Sequence, residues 1–164
     1  MRPDNQDAVA IGNRILTGDM DAPTVTVVLN TCRLLMIADG MGGHTHGAMA
    51  SRALLDHLIT DVDRLAAQTT DEAIREANNY LYGLMQSQRD ASGIYLGRRF
   101  LTPLRLLNFN VGDSRAYLFT RGHLVQLSHD DVIDVGANPS GHRTSRAITQ
   151  ALGGSEYPVP ITSM

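Results

Sequence analysis

The stretch Leu34-Leu35-Met36-Ile37-Ala38-Asp39-Gly40-Met41-Gly42-Gly43-His44 constrains this chain more than any other. A continuous apolar run from Leu34 to Ala38, too short for an ordinary helix, predicts a strand buried in a sheet. The strand ends on an aspartate. The glycines that follow let the backbone come close to a ligand or ion, and a helix is predicted soon after. A strand that delivers a carboxylate into a glycine-rich turn suits a hard divalent cation, which takes carboxylate, carbonyl and water oxygens. Read alone, the segment is equally a tight turn with Asp39 as its cap.

Around this stretch the periodicity predicts an α+β domain. Ala8 to Gly12 and Thr24 to Leu29 read as strands, with Asn30 and Thr31 turning into Leu34–Ala38. From Ala48 a helical stripe runs through Ala50, Leu54, Leu58, Val62 and Leu65, leaving Asp61 and Asp63 toward solvent. A second helix begins near Thr69, where Thr69 and Glu72 have capping-box spacing. Its buried face is Ile74, Ala77, Leu81 and Leu84, and the short link between the helices makes them antiparallel neighbours. Asp90 to Leu104 shows no clear period, and Pro103 fits a central strand poorly. Leu106 to Val111 reads as a strand, and Ala116–Phe119 with Leu124–Leu127 as a hairpin across Thr120-Arg121-Gly122. His129 to Arg143 reads as a polar loop, and Ser145 to Leu152 as one or two helical turns ended by Gly153 and Gly154. Strands, a helical pair and more strands indicate helices packed on an antiparallel sheet.

Composition narrows the function. A length of 164 residues favours one domain, and a net charge of -3 without a clustered Lys/Arg face gives no case for nucleic acid. No apolar run approaches the roughly 20 residues of a membrane helix. Cys32 is the lone cysteine, so neither an internal disulfide nor a thiolate zinc cluster is available, and a cytoplasmic setting is expected. Cys32 reads as structural, with no base beside it.

Two further segments carry chemistry. Arg2, Asn5, Gln6 and Asp7 precede the first strand. A guanidinium binds phosphate oxygens bidentately, and a nearby carboxylate can hold a cation that activates water. Equally, residues this close to a chain end often have no role. The segment Asn110-Val111-Gly112-Asp113-Ser114-Arg115 again ends a strand at Gly-Asp; Asp113 either approaches Asp39 or stabilises a turn.

In order along the chain, Arg2-x-x-Asn5-Gln6-Asp7, Asp39-Gly40-Met41-Gly42-Gly43-His44 and Asn110-Val111-Gly112-Asp113-Ser114-Arg115 resemble the motifs of the PPM (PP2C-type) metal-dependent protein serine/threonine phosphatases in their bacterial form. Gln126 to Asp131 and Ile148 to Gly154 match two more. The resemblance implies a two-sheet antiparallel β sandwich flanked by helices, here incomplete, with residues 1–164 forming a single partial phosphatase domain. It implies two manganese or magnesium ions, with Asp39 bridging both, the Gly40 carbonyl and Asp7 on one of them, Asp113 at a further, weaker metal site, and Arg2 holding the substrate phosphate. Metal-bound hydroxide would attack phosphoserine or phosphothreonine directly. The implied partners are phosphorylated proteins, opposite a serine/threonine kinase, with no nucleic acid or membrane. A histidine is expected at His44, while His46 reads as a surface residue.

Three departures from the family pattern shape the expectations. No strand precedes Arg2. No Gly-Thr-Thr segment is recognisable between Ser92 and Pro103, so a central strand is expected to be missing or replaced. The later Ser-Asp-Gly and Asp-Asn motifs, which carry two more metal-binding carboxylates, are absent. Two readings follow: an active phosphatase, or an impaired, truncated phosphatase-like protein that at most binds phosphoprotein.

Overall fold

The computed structural model of the chain describes residues 5–19, 22, 34–41, 45–61, 65, 70–87, 93–101, 106–135, 145–156 and 162–163. Its strands are β1 (Ala8–Ile11), β2 (Arg14–Thr17), β3 (Leu34–Met41), β4 (Gly93–Leu101), β5 (Leu106–Val111), β6 (Tyr117–Thr120), β7 (His123–Gln126), β8 (Val132–Val135), β9 (Ser145–Ile148) and β10 (Thr162–Ser163). Helices α1 (Thr45–Thr60) and α2 (Thr70–Ser87) lie between β3 and β4. Six strands form one antiparallel sheet in the order β10-β5-β4-β3-β1-β2, and β6-β7 and β8-β9 are separate two-stranded sheets. The architecture is therefore α+β, as the periodicity predicts. The strand expected at Thr24–Leu29, its turn at Asn30 and Thr31, and Cys32 lie outside the described residues.

Alternation along the strands shows which face of the large sheet the helices cover. Ala8 and Ala10 of β1, Leu34, Met36 and Ala38 of β3, and Phe109 and Val111 of β5 are buried. They meet Ala50, Leu54, Leu55 and Leu58 of α1 and Ile74, Ala77 and Leu81 of α2 in one core. Ala50, Leu54 and Leu58 of the expected stripe are buried in α1, which starts at Thr45, ahead of Ala48, and ends at Thr60, before Leu65; Val62 lies outside the described residues. His57 and Tyr80 stack across the helix pair with ring centroids 4.6 Å apart.

Three expectations need correction. The central strand expected to be missing is present: β4 pairs with β3 from Leu34↔Phe100 to Met41↔Gly93 and with β5 from Leu96↔Val111 to Leu101↔Leu106. It ends at Leu101, before Pro103, so the proline does not interrupt the ladder. Residues expected to be helical, Ser145–Ile148, form β9 instead, paired with Val132–Val135 of the segment read as a loop. Backbone pairing with a neighbouring strand overrides the weak local helical preference there. Between β6 and β7, the turn is the two residues Arg121 and Gly122, with φ of 49° and 81°. Positive φ at both positions is the type I′ geometry that matches strand twist.

A buried asparagine ties α2 to the chain beyond β9. Asn78 is fully buried. Its Oδ1 accepts the Gly153 N–H at 2.9 Å, and its Nδ2 donates to the Ser155 carbonyl at 2.9 Å. Gly153 holds φ +79°, and a Cβ there would meet Leu81 Cγ at 2.7 Å, so the glycine closes this turn directly onto α2. Replacing Asn78 by Ala strands the buried Gly153 N–H, a cost of about 1–3 kcal/mol. Urea unfolding of Asn78→Ala is expected to show that loss, whereas Asn79→Ala, one residue along on the exposed face, is expected to stay within about 0.5 kcal/mol of the parent.

Candidate functional site

The register of β1 and β3 pairs Ala8 with Ala38 and Val9 with Ile37. Continued one step past Ala8, the antiparallel register sets Asp7 opposite Asp39. Residues directly opposite in such a pair share a face, with Cα atoms about 4.5–5.5 Å apart. Carboxylates on a shared face supply oxygen donors of the kind a hard cation takes. Both carboxylates line a cavity of about 510 Å³ on the face away from the helices, together with Val9, Ile11, Leu35 and Ile37 and, across from them, Ser114 to Tyr117. Asp7 is exposed and Asp39 half-buried.

Close backbone packing fixes the two aspartates from beneath. A Cβ on Gly40 would meet the Gln6 carbonyl oxygen at 2.4 Å and the Gly47 carbonyl oxygen at 2.6 Å. A Cβ on Gly47, in the first turns of α1, would meet Gln6 Oε1 at 2.5 Å. Ser51 Oγ donates to the Gln6 carbonyl at 2.6 Å, pinning the residue before Asp7 to α1. On the other side, the Asp7 N–H donates to Asn5 Oδ1 at 3.0 Å, and Asn5 Nδ2 donates to the Gly18 carbonyl at 3.1 Å. Gly47 and Ser51 carry no signal in a hydropathy pattern; two small residues four apart facing a Gly-rich turn are the trace they leave.

Asp113 is placed elsewhere. β4 lies between β3 and β5, and the exposed Asp113 lines a second cavity of about 380 Å³ with Arg115, Asp130, Val132, Arg146 and Ile148. Arg2 and Gly42 to His44 lie outside the described residues. His46 is half-buried in the first turn of α1.

The turn holding Asp113 is clamped by the segment from Gln126 to Asp131. Gly112, at φ 99°, exchanges two bonds with Asp131: its N–H donates to Oδ2 at 2.9 Å, and its carbonyl accepts the Asp131 N–H at 2.9 Å. Buried Asn110 donates through Nδ2 to the Gly112 carbonyl at 2.9 Å and the His129 carbonyl at 3.1 Å. Ser128 Oγ accepts the Ala116 N–H at 2.9 Å. Arg115 Nε donates to both Asp130 oxygens at 2.9 Å. Arg146 NH1 lies 3.8 Å from the same carboxylate, and Gln126 Nε2 donates to it at 3.3 Å. The hydrogen bond from Arg115 holds the Asp130 carboxyl below its ordinary value, and the same bond raises Arg115. These motif residues thus build a structural clasp.

A divalent cation is the group this geometry invites. Asp7, Asp39 and the Gly40 carbonyl offer oxygen donors, but no group of three or more His, Cys, Asp or Glu suited to a metal occurs among the described residues. The described donor set therefore does not complete a two-ion centre.

No protein-family model matches the chain. Among curated proteins, it is 34% identical over 147 residues to the serine/threonine protein phosphatase PstP of Mycobacterium tuberculosis, covering 79% of this chain and 28% of that protein. It is 32% identical over 108 residues to the serine/threonine phosphatase stp of Listeria monocytogenes (59% of this chain, 42% of the relative). It is 30% identical over 138 residues to a putative protein phosphatase 2C-type of Streptococcus pyogenes (73% and 56%). The chain thus spans between 28% and 56% of the length of these relatives. Among solved structures, M. tuberculosis PstP superposes with a TM-score of 0.71 at 27% identity over 100% of this chain and 68% of that one. The PstP catalytic domain in complex with two manganese ions gives 0.68 at 27% identity, over 100% and 67%.

The clasp makes a pH prediction. Because the folded Asp130 carboxyl sits below its unfolded value of 3.8, its stabilisation is whole above that pH and lost as pH falls through the folded value. Asp130→Asn is expected to lower the melting temperature across about pH 5–8, with the gap to the parent closing below about pH 4. Melting curves at stepped pH check this; a gap that persists unchanged in acid would contradict it.

Proposed function

We propose that this chain, related in sequence and fold to part of the bacterial PP2C-type serine/threonine phosphatases, supplies the Asp7–Asp39 portion of a phosphatase site acting on phosphoserine and phosphothreonine in proteins. The observation that carries this reading is the opposition of Asp7 and Asp39 at the end of β1 and β3, in a fold matching the PstP domain that binds two manganese ions. In this reading residues 1–164 are one partial domain. Asp39, Asp7 and the Gly40 carbonyl hold manganese or magnesium, Asp113 belongs to a further, weaker ion, and Arg2 engages the phosphate. The Asn5 hydrogen bonds give the segment leading back to Arg2 a fixed root. Phosphorylated proteins are the substrates, opposite a serine/threonine kinase, in the cytoplasm.

One observation favours the second reading for this chain by itself, that of an impaired protein that at most binds phosphoprotein: the described residues bring no third metal-binding side chain to Asp7 and Asp39. A hard cation needs several oxygens to offset its dehydration. The chain alone is therefore expected to bind manganese weakly and to leave p-nitrophenyl phosphate essentially unhydrolysed. A tight two-site calorimetric isotherm, or manganese-dependent turnover abolished by Asp39→Asn, would contradict this. The phosphatase reading is tested in a single-chain chimera in which this chain replaces the matching part of the PstP catalytic domain. Manganese-dependent release of phosphate from a phosphothreonine peptide, lost in Asp39→Asn, is the expected result; a folded, manganese-loaded chimera with no turnover would sink the reading.

A further inference from the structure

Two asparagines on β5 are buried as deeply as the apolar residues beside them: Asn108 is 3% and Asn110 2% exposed. Two apart on one strand, they share a face, opposite the one that Phe109 and Val111 turn into the core with the helices. Their amide nitrogens are committed to nearby carbonyls. Asn110 Nδ2 donates to the Gly112 carbonyl at 2.9 Å and the His129 carbonyl at 3.1 Å. Asn108 Nδ2 donates to the Leu127 carbonyl at 3.4 Å. These bonds settle which end of each amide is which, because a flipped amide would set its oxygen against carbonyl oxygens. Each Oδ1 therefore points away from those carbonyls, is buried, and meets no donor among the described residues. Buried acceptors almost always have a donor, from the protein or from an ordered water. The sheet register leaves space for one. Ile37 of β3, Gly97 of β4 and Asn110 of β5 stand in one row across the sheet. Gly97 contributes no side chain, so the position next to Asn110 in that row is backbone alone.

We propose that Asn108 and Asn110 hold an internal water beside Gly97, which donates one proton to each Oδ1. Water fits this pair by its chemistry. Its two protons answer two acceptors, and a polar site with room for it is hydrated where an apolar cavity stays dry. Both amides are neutral, so they offer a cation no charge to offset its lost hydration. The site is separate from Asp7 and Asp39. Through the Asn110 side chain it backs the Gly112 carbonyl, and with it the turn that carries Asp113.

A high-resolution crystal structure of the chain and water-to-amide cross-relaxation spectra test the site. The expected crystal result is an ordered water within hydrogen-bonding distance of both Oδ1 atoms. In solution, the Asn110 side-chain amide protons are expected to show a cross-peak with the sign of a long-lived water. Asn108→Leu removes one acceptor at similar volume and is expected to abolish that cross-peak, with the Asn110 amide resonances still resolved. Gly97→Ala fills the space beside Asn110 and is expected to abolish it as well. Asn79→Ala, on the exposed side of α2, is expected to leave it unchanged. A protein donor seated on Asn110 Oδ1, a sodium or potassium ion in place of the water, or no long-lived water at the Asn110 amide would each overturn the proposal. So would a cross-peak undiminished in Asn108→Leu. Where neither variant folds, the crystal structure and spectrum of the parent chain decide between the same outcomes.

Discussion

The opposition of two aspartates at one end of an antiparallel strand pair organises this molecule. The β1–β3 register, carried one step past Ala8↔Ala38, sets Asp7 opposite Asp39, and backbone groups packed at glycine distance hold the residues beside them. The sheet supports that contact from the side: β4 and β5 extend it beyond β3, and the helix pair closes its other face. Asp7 and Asp39 line one cavity, and carboxylate oxygens are the donor type a hard cation takes.

The second polar assembly has a different job. Hydrogen bonds from Asn110 Nδ2, Gly112, Arg115 and Ala116 to Gly112, Asp131, Asp130 and Ser128 hold the turn after β5. Such a network specifies one geometry because partly satisfied alternatives are costly. It sets Ser114 to Tyr117 along the far wall of the cavity that Asp7 and Asp39 close. A motif that looks chemical in the sequence is here largely mechanical, with Asp113 left exposed at its surface.

How much was legible in the residues depended on whether the signal was local. The stripe from Ala50 to Leu58 and the run from Leu34 to Ala38 announce a helix and a strand, and both form. Asp39 and Gly40 stood out through the order of the motifs, since the segment read alone is equally a tight turn; β3 in fact runs through both to Met41. β4 was not legible, since Gly93 to Leu101 lacks a period of two and its pairing comes from β3 and β5, distant in sequence. β9 was misread for the same reason: Ser145–Ile148 is decided by Val132–Val135. Neither the clip made by Asn78 nor the roles of Gly47 and Ser51 depend on sequence neighbours, so only the fold reveals them. The apolar run at Leu34–Ala38 reads as a strand buried in a sheet, and β3 forms, with Leu34, Met36 and Ala38 buried while Ile37 is left 49% exposed.

The central claim is that Asp7 and Asp39 together form the cation-seeking point of the molecule. Manganese broadens nuclear resonances near its binding site, so an amide spectrum recorded during a manganese titration locates that site directly. The account predicts broadening that begins at Ala8 and at Ala38 to Gly40 and is lost in Asp39→Asn. Broadening centred instead on Asp130 to Asp134, unaffected by that substitution, would contradict it.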